Sequence, residues 1–178
     1  DKFARLVYMK TGMFYDHNKK YYVQKRVERR AEALEMGSLN EYYYMLKFSN
    51  DSSEFEKLIN EHTVNETYFF RDFPQLRNFA EDVLPVVIRE KKNNKKIKVW
   101  SAACSTGEEP YTLSIILQEM LDRPEEWDIQ IIASDINTEV LEFAKIGMYE
   151  SRAVKDVPPE YLGKYFTKCN DKYLVNMN

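Results

Sequence analysis

Two adjacent glutamates, Glu108 and Glu109, follow a run of small residues in the segment VWSAACSTGEEPYTL, residues 99–113. The small side chains at 101–107 would let a ligand approach the backbone closely. Phosphate ligands need other sequences, because dinucleotide sites use G-x-G-x-x-G and ATP sites use G-x-x-x-x-G-K-[ST]. Neither pattern is present, and two carboxylates would repel a phosphate. The segment therefore favours a ligand that carries positive charge.

A third acidic residue, Asp135, lies at the end of the apolar segment IQIIASD. Both this segment and the one before residue 101 are predicted strands, and open α/β sheets bind nucleotides at the carboxyl ends of their strands. An acid at such an end can accept hydrogen bonds from ribose hydroxyls. S-adenosyl-L-methionine carries an ammonium group, a sulfonium group and a ribose diol, so it matches both acidic positions.

A purely structural interpretation of these acids is also open. Ser105-x-x-Glu108 and Thr106-x-x-Glu109 both match the capping box at a helix start. Asp135 could likewise cap the helix that follows it. The residues alone do not separate the role of Glu108 from that of Glu109.

The motif NETYFFR, residues 65–71, is the other dense cluster of chemistry-bearing side chains. In a helix, Thr67 and Arg71 would share a face because they are four residues apart. The alternative is that Thr63 and Glu66 form a capping box ahead of two ordinary core phenylalanines.

The elements that must position these residues fall into two parts. Residues 1–90 predict helices, the last an interrupted helix over 65–90. The lysine- and asparagine-rich stretch 91–96 is the predicted linker. Strands and helices alternate over 97–178, which indicates a parallel α/β sheet. A short helix and a hairpin follow from about residue 158 and predict a small β subdomain.

Composition limits the class of protein. The 178 residues are 44% hydrophobic and include 5 glycines and 6 prolines, which is typical of an ordered globular chain. No segment has the length of a transmembrane helix or the layout of a signal peptide. The two cysteines form no CxxC motif, and the two histidines lie far apart. We expect a cytoplasmic protein with no direct membrane insertion, no metal site and no histidine-based triad.

Taken together, four segments resemble the CheR-type chemoreceptor glutamate methyltransferases. They are GMFYDHNKKYYVQKRVERR, NETYFFRD, VWSAACSTGEEPYTL and ASDINTEVLEFAKIGMY, in the family's order. The resemblance implies an α + α/β fold, with an N-terminal helical domain followed by part of a Rossmann-like methyltransferase domain and the start of its β subdomain. It implies S-adenosyl-L-methionine as the cofactor and S-adenosyl-L-homocysteine as the product.

The resemblance also implies roles for individual residues. It assigns cofactor contacts to Asn65, Thr67, Arg71, Glu109 and Asp135. Glu109 is expected near the ammonium group and Asp135 on the ribose, while Glu108 is expected to be a solvent-facing cap. Arg71 is the candidate catalytic residue, which would orient a carboxylate. The acceptor glutamate, with a pKa of about 4.3, is already ionised at neutral pH, so no general base is needed.

A basic helix is the predicted docking surface. Lys25, Arg26 and Arg29 lie opposite an apolar stripe that runs from Val23 to Leu34. A charge run by itself is most often a solvated face, but the resemblance implies that the acidic helical methylation region of chemoreceptors binds here. Arg30 lies at the border of the stripe and is predicted to pair with a neighbouring acid.

Family members continue into further strands with contacts to the adenine and the reacting centre. We therefore expect residues 1–178 alone to be inactive, with an unpaired sheet edge that favours self-association. Two other functions stay open: a non-catalytic S-adenosylmethionine-binding regulator and a nucleic-acid methyltransferase. The second would bind its substrate with a strong salt dependence. The segment VPPEYL lacks the Asn/Asp-Pro-Pro-aromatic motif that would favour it, so we expect no nucleic-acid partner.

Overall fold

The computed structural model describes residues 2–176, so the last two residues of the predicted 97–178 domain lie outside it. The chain divides into two compact units between Val64 and Asn65. We call the part up to residue 64 the helical unit and the part from residue 65 the α/β unit. The boundary differs from the linker predicted at 91–96.

Within residues 2–64, the helical unit has four α-helices and a short 3-10 turn at His17–Lys19. They are α1 (Lys2–Thr11), α2 (Lys20–Ala33), α3 (Leu39–Phe48) and α4 (Ser53–Asn60). Ser38 accepts the Glu41 N–H at 3.2 Å, and the Glu41 carboxylate accepts the Gly37 N–H at 3.2 Å. The first bond caps α3 at Ser38, whereas the second reaches the residue before the N-cap and not the Ser38 N–H that a full capping box would use. The Ser38 cap fixes where α3 begins.

The predicted apolar stripe of α2 packs into the core of the helical unit, with one exception. Val23, Val27 and Ala31 are buried, whereas Leu34 is 38% exposed. The helix ends at Ala33, and Glu35 then takes a positive φ of 52°. The chain therefore turns away before Leu34 can continue the stripe.

The α/β unit holds the remaining helices and the strands of two sheets. Its elements are α5 (Phe73–Asn78), a π-helical turn (Phe79–Val83), α6 (Leu84–Lys91), β1 (Lys96–Ala102), α7 (Glu108–Met120), a 3-10 turn (Pro124–Glu126), β2 (Asp128–Ser134), α8 (Thr138–Ile146), β3 (Met148–Glu150), α9 (Pro159–Tyr165), β4 (Phe166–Cys169) and β5 (Lys172–Val175). None of the helices within residues 2–176 has the length and apolar character needed to cross a membrane.

Strands β1 and β2 pair in parallel, from Lys96 opposite Asp128 to Ala102 opposite Ser134. Leu84 of α6 shares one buried cluster with Ile97 of β1 and Leu117 of α7. The helices over 73–91 therefore belong to the α/β unit, because their apolar side chains are buried against its sheet. This packing is the reason that the unit boundary does not lie at the predicted linker 91–96.

The small sheet is antiparallel, in the order β3-β5-β4. The hairpin of β4 and β5 was predicted from the sequence. However, the sheet recruits β3, so it begins at Met148 and not near residue 158. Gly147, with φ of 65°, ends α8 in the left-handed conformation that favours glycine and releases the chain into β3.

The predicted helix over 65–90 is wrong in its first part, because residues 65–72 are not helical. The Phe69 N–H donates to the Ala153 carbonyl at 2.9 Å, and the Phe70 N–H donates to Thr112 Oγ1 at 3.2 Å. These backbone donors are used between elements and not within a helix. Thr67 and Arg71 therefore do not share a helix face, and α5 begins only at Phe73.

Candidate functional site

The β1–α7 loop, residues 103–107, connects the end of the first strand to the start of the long helix. Ala103, Ser105 and Gly107 all have positive φ angles, of 62°, 48° and 96°. Left-handed backbone is costly for the two residues with side chains, so other contacts must hold the loop. One is the Cys104 N–H, which donates to the Ser134 carbonyl of β2 at 2.9 Å.

Gly107 is the one position of the loop where a side chain cannot be accommodated. A Cβ built there would lie 2.7 Å from the Ala144 Cβ and 2.9 Å from the Tyr149 hydroxyl. Gly107 is also the N-cap of α7, and no side chain caps this helix. The two capping boxes predicted for Glu108 and Glu109 are therefore absent.

Asp135 connects this loop to the second strand. Its Oδ2 accepts the Ser105 N–H at 2.8 Å, and its Oδ1 accepts the Asn137 N–H at 2.9 Å. The helix cap predicted as an alternative role is supplied by Asn137, whose side chain accepts the N–H groups of Glu139 and Val140. Asp135 thus holds the loop and does not cap α8.

Glu109 lies in the first turn of α7 and is exposed. Its Oε1 accepts a hydrogen bond of 2.5 Å from the hydroxyl of Ser101, a buried residue of β1. The carboxylate is thereby anchored at the carboxyl end of β1 while it stays accessible to a ligand.

Glu108 is the reverse case, and the expectation of a solvent-facing cap is wrong. The residue is only 3% exposed. Burial raises the pKa of its carboxyl, although the 2.6 Å hydrogen bond that the Thr106 hydroxyl donates to it acts in the other direction. The structure thus separates two glutamates that the sequence left equivalent, because only Glu109 faces outward.

The segment 65–71 lies against the same loop. The Ser105 hydroxyl donates to the Asn65 carbonyl at 3.1 Å, so Asn65, Ser105 and Asp135 form one hydrogen-bonded group. Thr67 is half-buried. Arg71 is exposed, and its Nη1 donates to the Glu66 carbonyl of its own segment at 2.6 Å.

An open cleft of about 560 Å³ lies beside this segment. The residues that line it include Asn65, Thr67, Thr106, Glu108, Arg152 and Lys155. Within residues 2–176 its lining includes neither Glu109 nor Asp135. Of the predicted cofactor residues, Asn65 and Thr67 thus line the cleft, Glu109 and Asp135 follow the carboxyl ends of β1 and β2, and Arg71 is not part of the cleft lining within residues 2–176. Ser105 connects the two places, because it bonds both Asn65 and Asp135.

The predicted docking residues lie on α2 of the helical unit, and two of them already have partners there. Arg26 donates to the Glu61 carbonyl at 2.5 Å and to the Tyr22 carbonyl at 3.2 Å. Arg29 donates to the Glu61 carboxylate at 2.5 and 2.9 Å. Lys25 is exposed and lies near the Tyr21 ring.

The predicted acidic partner of Arg30 is confirmed as Glu54. Arg30 donates to both carboxylate oxygens of Glu54, at 2.9 and 2.6 Å. The same carboxylate accepts the Tyr42 hydroxyl at 2.9 Å. Burial and this bond raise the pKa of Tyr42.

Sequence reasoning missed the hydroxyl residues that hold the site together. Ser101 anchors Glu109, Ser105 connects Asn65 with Asp135, and Thr112 accepts from Phe70 while it donates to the Glu108 carbonyl at 2.7 Å. The only signal in the sequence was that the loop and its flanks are rich in small hydroxyl residues. That composition does not specify which hydroxyl reaches which partner.

Comparison with known proteins gives matches over both units. A family model described as the CheR methyltransferase all-alpha domain matches residues 1–63. A second, described as the CheR methyltransferase SAM binding domain, matches residues 65–178. The edge between the two matches agrees with the division of the structure after Val64.

Individual relatives are similar over almost the whole chain. A chemotaxis protein methyltransferase 2 of Vibrio cholerae is 42% identical over 166 residues, which is 93% of this chain and 57% of that relative. A chemotaxis protein methyltransferase of Salmonella typhimurium is 35% identical over 94% of this chain and 55% of its own length. That of Escherichia coli is 34% identical over 94% and 56%. The chain thus spans somewhat more than half the length of these curated relatives.

Proposed function

The chain belongs to the CheR methyltransferase family, and from this premise we propose that its α/β unit binds S-adenosyl-L-methionine for methyl transfer to glutamate side chains. The residues proposed to contact the cofactor are Asn65, Thr67, Arg71, Glu109 and Asp135. Glu109 would bind the ammonium group and Asp135 the ribose hydroxyls. The product of the cofactor would be S-adenosyl-L-homocysteine.

The observation that carries this proposal is the pair of carboxylates at neighbouring strand ends. Ala102 and Ser134, the last residues of β1 and β2, are direct neighbours in the sheet. Glu109 follows β1 and Asp135 follows β2, and both are held by uncharged donors. A carboxylate oxygen has more than one lone-pair site, so each acid can still accept hydrogen bonds from a ligand.

Methyl transfer to a glutamate side chain would require no general base from the protein. Bound S-adenosyl-L-methionine would supply an activated methyl group, and the acceptor glutamate is ionised at neutral pH. The residues of the site would contribute alignment of the acceptor oxygen with the methyl carbon and the exclusion of water. Arg71 is exposed in the same segment as Asn65 and Thr67, and its guanidinium would orient the acceptor carboxylate.

The protein substrate proposed for this chain is an acidic helical segment, such as the methylation region of a cytoplasmic chemoreceptor domain. Lys25 and Arg29 of α2 would meet its carboxylates. The Arg29 side chain is 67% exposed although it pairs with Glu61, so an incoming carboxylate can compete for it. Arg26 would act mainly by holding α2 to Glu61.

Calorimetry with S-adenosyl-L-methionine and S-adenosyl-L-homocysteine tests the proposed cofactor. We expect both to bind residues 1–178 at one site, while ATP, which adds phosphates but lacks the ammonium group, does not bind. A chain that is folded by circular dichroism yet binds neither adenosyl compound would refute the proposal.

Transfer of a radiolabelled methyl group tests the reaction itself. The label should enter an acidic receptor helix as a base-labile ester when a protein that contains this chain is added. Cofactor binding without any such transfer would favour the non-catalytic regulator. Incorporation into nucleic acid would favour the other alternative.

A further inference from the structure

We propose that Tyr149 of β3 is a positioning residue for the β1–α7 loop, and that it acts through the carbonyl oxygen of Thr106. The proposal rests on the function proposed above, because it concerns how that site presents its carboxylates. Tyr149 belongs to the small antiparallel sheet and not to the strands that carry the loop. It therefore gives the small sheet a direct contact with the predicted cofactor site.

The Thr106 carbonyl is an acceptor that the helix cannot satisfy. Thr106 precedes the N-cap Gly107, and the hydrogen-bond ladder of α7 begins with the Tyr111 N–H, which donates to the Gly107 carbonyl at 3.2 Å. An additional turn would need a donor at position 110, which is a proline without an N–H. The Tyr149 hydroxyl supplies the missing donor, at 2.7 Å from the Thr106 oxygen.

The hydroxyl is held at this point by the packing of its ring. Tyr149 is 1% exposed, and its ring meets that of Phe69 edge to face, with centroids 4.8 Å apart. The Phe143 ring lies 5.9 Å away on α8. The ring therefore has a single well-packed position, from which its hydroxyl reaches the loop.

The same hydroxyl also restricts the next residue of the loop. It lies 2.9 Å from the place where a Cβ would stand at Gly107, which is the residue with φ of 96°. Thr106 and Gly107 lead directly into Glu108 and Glu109. A donor that fixes the Thr106 carbonyl therefore fixes the direction in which α7 starts, and with it which of the two glutamates is exposed.

A merely structural tyrosine would behave differently, and the chain offers a matched control. Tyr111 also donates its hydroxyl to a backbone carbonyl, that of Ala144 at 3.0 Å. This bond connects α7 with α8, and neither its donor nor its acceptor belongs to the loop residues 103–107. Tyr149→Phe and Tyr111→Phe each remove one hydroxyl and retain the ring, so they differ in whether the lost bond holds the loop.

The test is the affinity of residues 1–178 for S-adenosyl-L-homocysteine, measured by calorimetry well below the unfolding midpoint of each variant. A neutral hydrogen bond contributes modestly, so we expect Tyr149→Phe to weaken binding by about threefold to tenfold. Tyr111→Phe should change it by less than about twofold. Equal affinities for the two variants and the wild type would overturn the proposal, as would parallel losses in both.

A second variant separates the donated hydrogen bond from the small void that Phe leaves. Replacing Tyr149 by 4-fluorophenylalanine fills the space of the hydroxyl without a donor. The same loss of affinity is expected, whereas wild-type affinity would show that volume alone matters and would overturn the proposal. Wild-type protein that binds no adenosyl compound refutes the proposed function and this inference together. Wild-type binding with an unaffected Tyr149→Phe refutes only the inference.

Discussion

The charged side chains of α2 in the helical unit and the carboxylates at the ends of β1 and β2 in the α/β unit are held in opposite ways. On α2, Arg30 is paired with Glu54 and Arg29 with Glu61, both acids of the same unit. At the ends of β1 and β2, within residues 2–176, Glu109 and Asp135 form no ion pair and are held by hydroxyl and N–H donors. Charges that have a partner stabilise the fold, whereas anchored carboxylates without a cation are available to a cationic ligand.

The largest effect is expected on stability, when one member of a paired charge in the helical unit is removed. Glu54→Ala removes the acceptor of two Arg30 donors and of Tyr42, in a pair whose side chains are only 17% and 14% exposed. Since Arg30 would lose its two short carboxylate contacts and keep the 4.0 Å contact with Glu61, we expect a loss of about 2–4 kcal/mol in the free energy of unfolding. Urea denaturation measures it.

The control is Glu56→Ala on the same helix, because the Glu56 carboxylate is exposed and accepts a hydrogen bond from the nearby Ser52 hydroxyl. It should cost less than about 0.5 kcal/mol. If both variants lost the same stability, the buried pairing of Arg30 would not be what stabilises the helical unit.

The next largest effect is expected on cofactor affinity, when one of the unpaired carboxylates is removed. A hydrogen bond to a charged group contributes about 1.5–3 kcal/mol, so Glu109→Gln should weaken S-adenosyl-L-methionine binding by roughly one to two orders of magnitude. Asp135→Ala should have a similar effect, because it also releases Ser105. Calorimetry on the folded variants is the measurement.

Glu108→Gln is the matched control for Glu109, since it changes the adjacent and buried carboxyl. Glu108 is among the residues that line the cleft, but its carboxyl is almost completely buried and already accepts the Thr106 hydroxyl, so the variant should leave the cofactor affinity nearly unchanged. If the two glutamine variants bound the cofactor equally well, the outward carboxylate of Glu109 would have no special role in binding. The contrast between paired and unpaired charges would then have no functional meaning.

A smaller effect concerns pH and the helical unit. His62 is buried, its Nδ1 lies 2.6 Å from the Leu58 carbonyl, and its Nε2 has no partner within residues 2–176. Burial lowers the pKa of His62 below its ordinary value of 6.5, and Arg26 acts in the same direction. His62 therefore binds a proton more readily in the unfolded chain than in the folded chain. Stability should be complete above about pH 6.5 and fall, by at most about 1.4 kcal/mol per pH unit, as the pH decreases below it.

The measurement is the urea midpoint between about pH 7.5 and 5.5, compared with that of His62→Phe. Phenylalanine keeps a ring against Tyr15, which packs edge to face on His62. The variant should lose most of the pH dependence in this range. An unchanged slope would assign the pH dependence to other groups.

The smallest effect is expected at the exposed cations of α2. Lys25→Glu with Arg29→Glu should slow association with an acidic receptor helix and leave cofactor affinity unchanged, because charges at the rim act mainly on the encounter. Surface plasmon resonance at two salt concentrations measures this. Arg26→Glu should instead lower the stability of the helical unit, because the Arg26 guanidinium donates to the Glu61 carbonyl. A loss of cofactor affinity in the Lys25/Arg29 variant would contradict a docking role.

Much of the molecule was predictable from local patterns. The start of α3 follows from Ser38, a residue type that favours the N-cap, and the apolar stripe of α2 follows from helical spacing at Val23, Val27 and Ala31. The strands β1 and β2 and the acids that follow them were visible as apolar segments with small and acidic ends. The family was also evident from its motifs, and the matches over both units confirm it.

By itself, the sequence determined which side chains could meet a cationic ligand, because residue type and order along the chain are local properties. Only the tertiary structure decided that Glu109 faces outward and Glu108 inward, since the direction of α7 is set by Gly107 at φ of 96° and by a hydroxyl from β3. Only it could show that residues 65–72 are not helical, because Phe69 and Phe70 give their N–H groups to partners far along the chain. The acceptor of a backbone N–H is decided by which groups the complete fold brings within hydrogen-bond distance. A local sequence pattern does not contain that information.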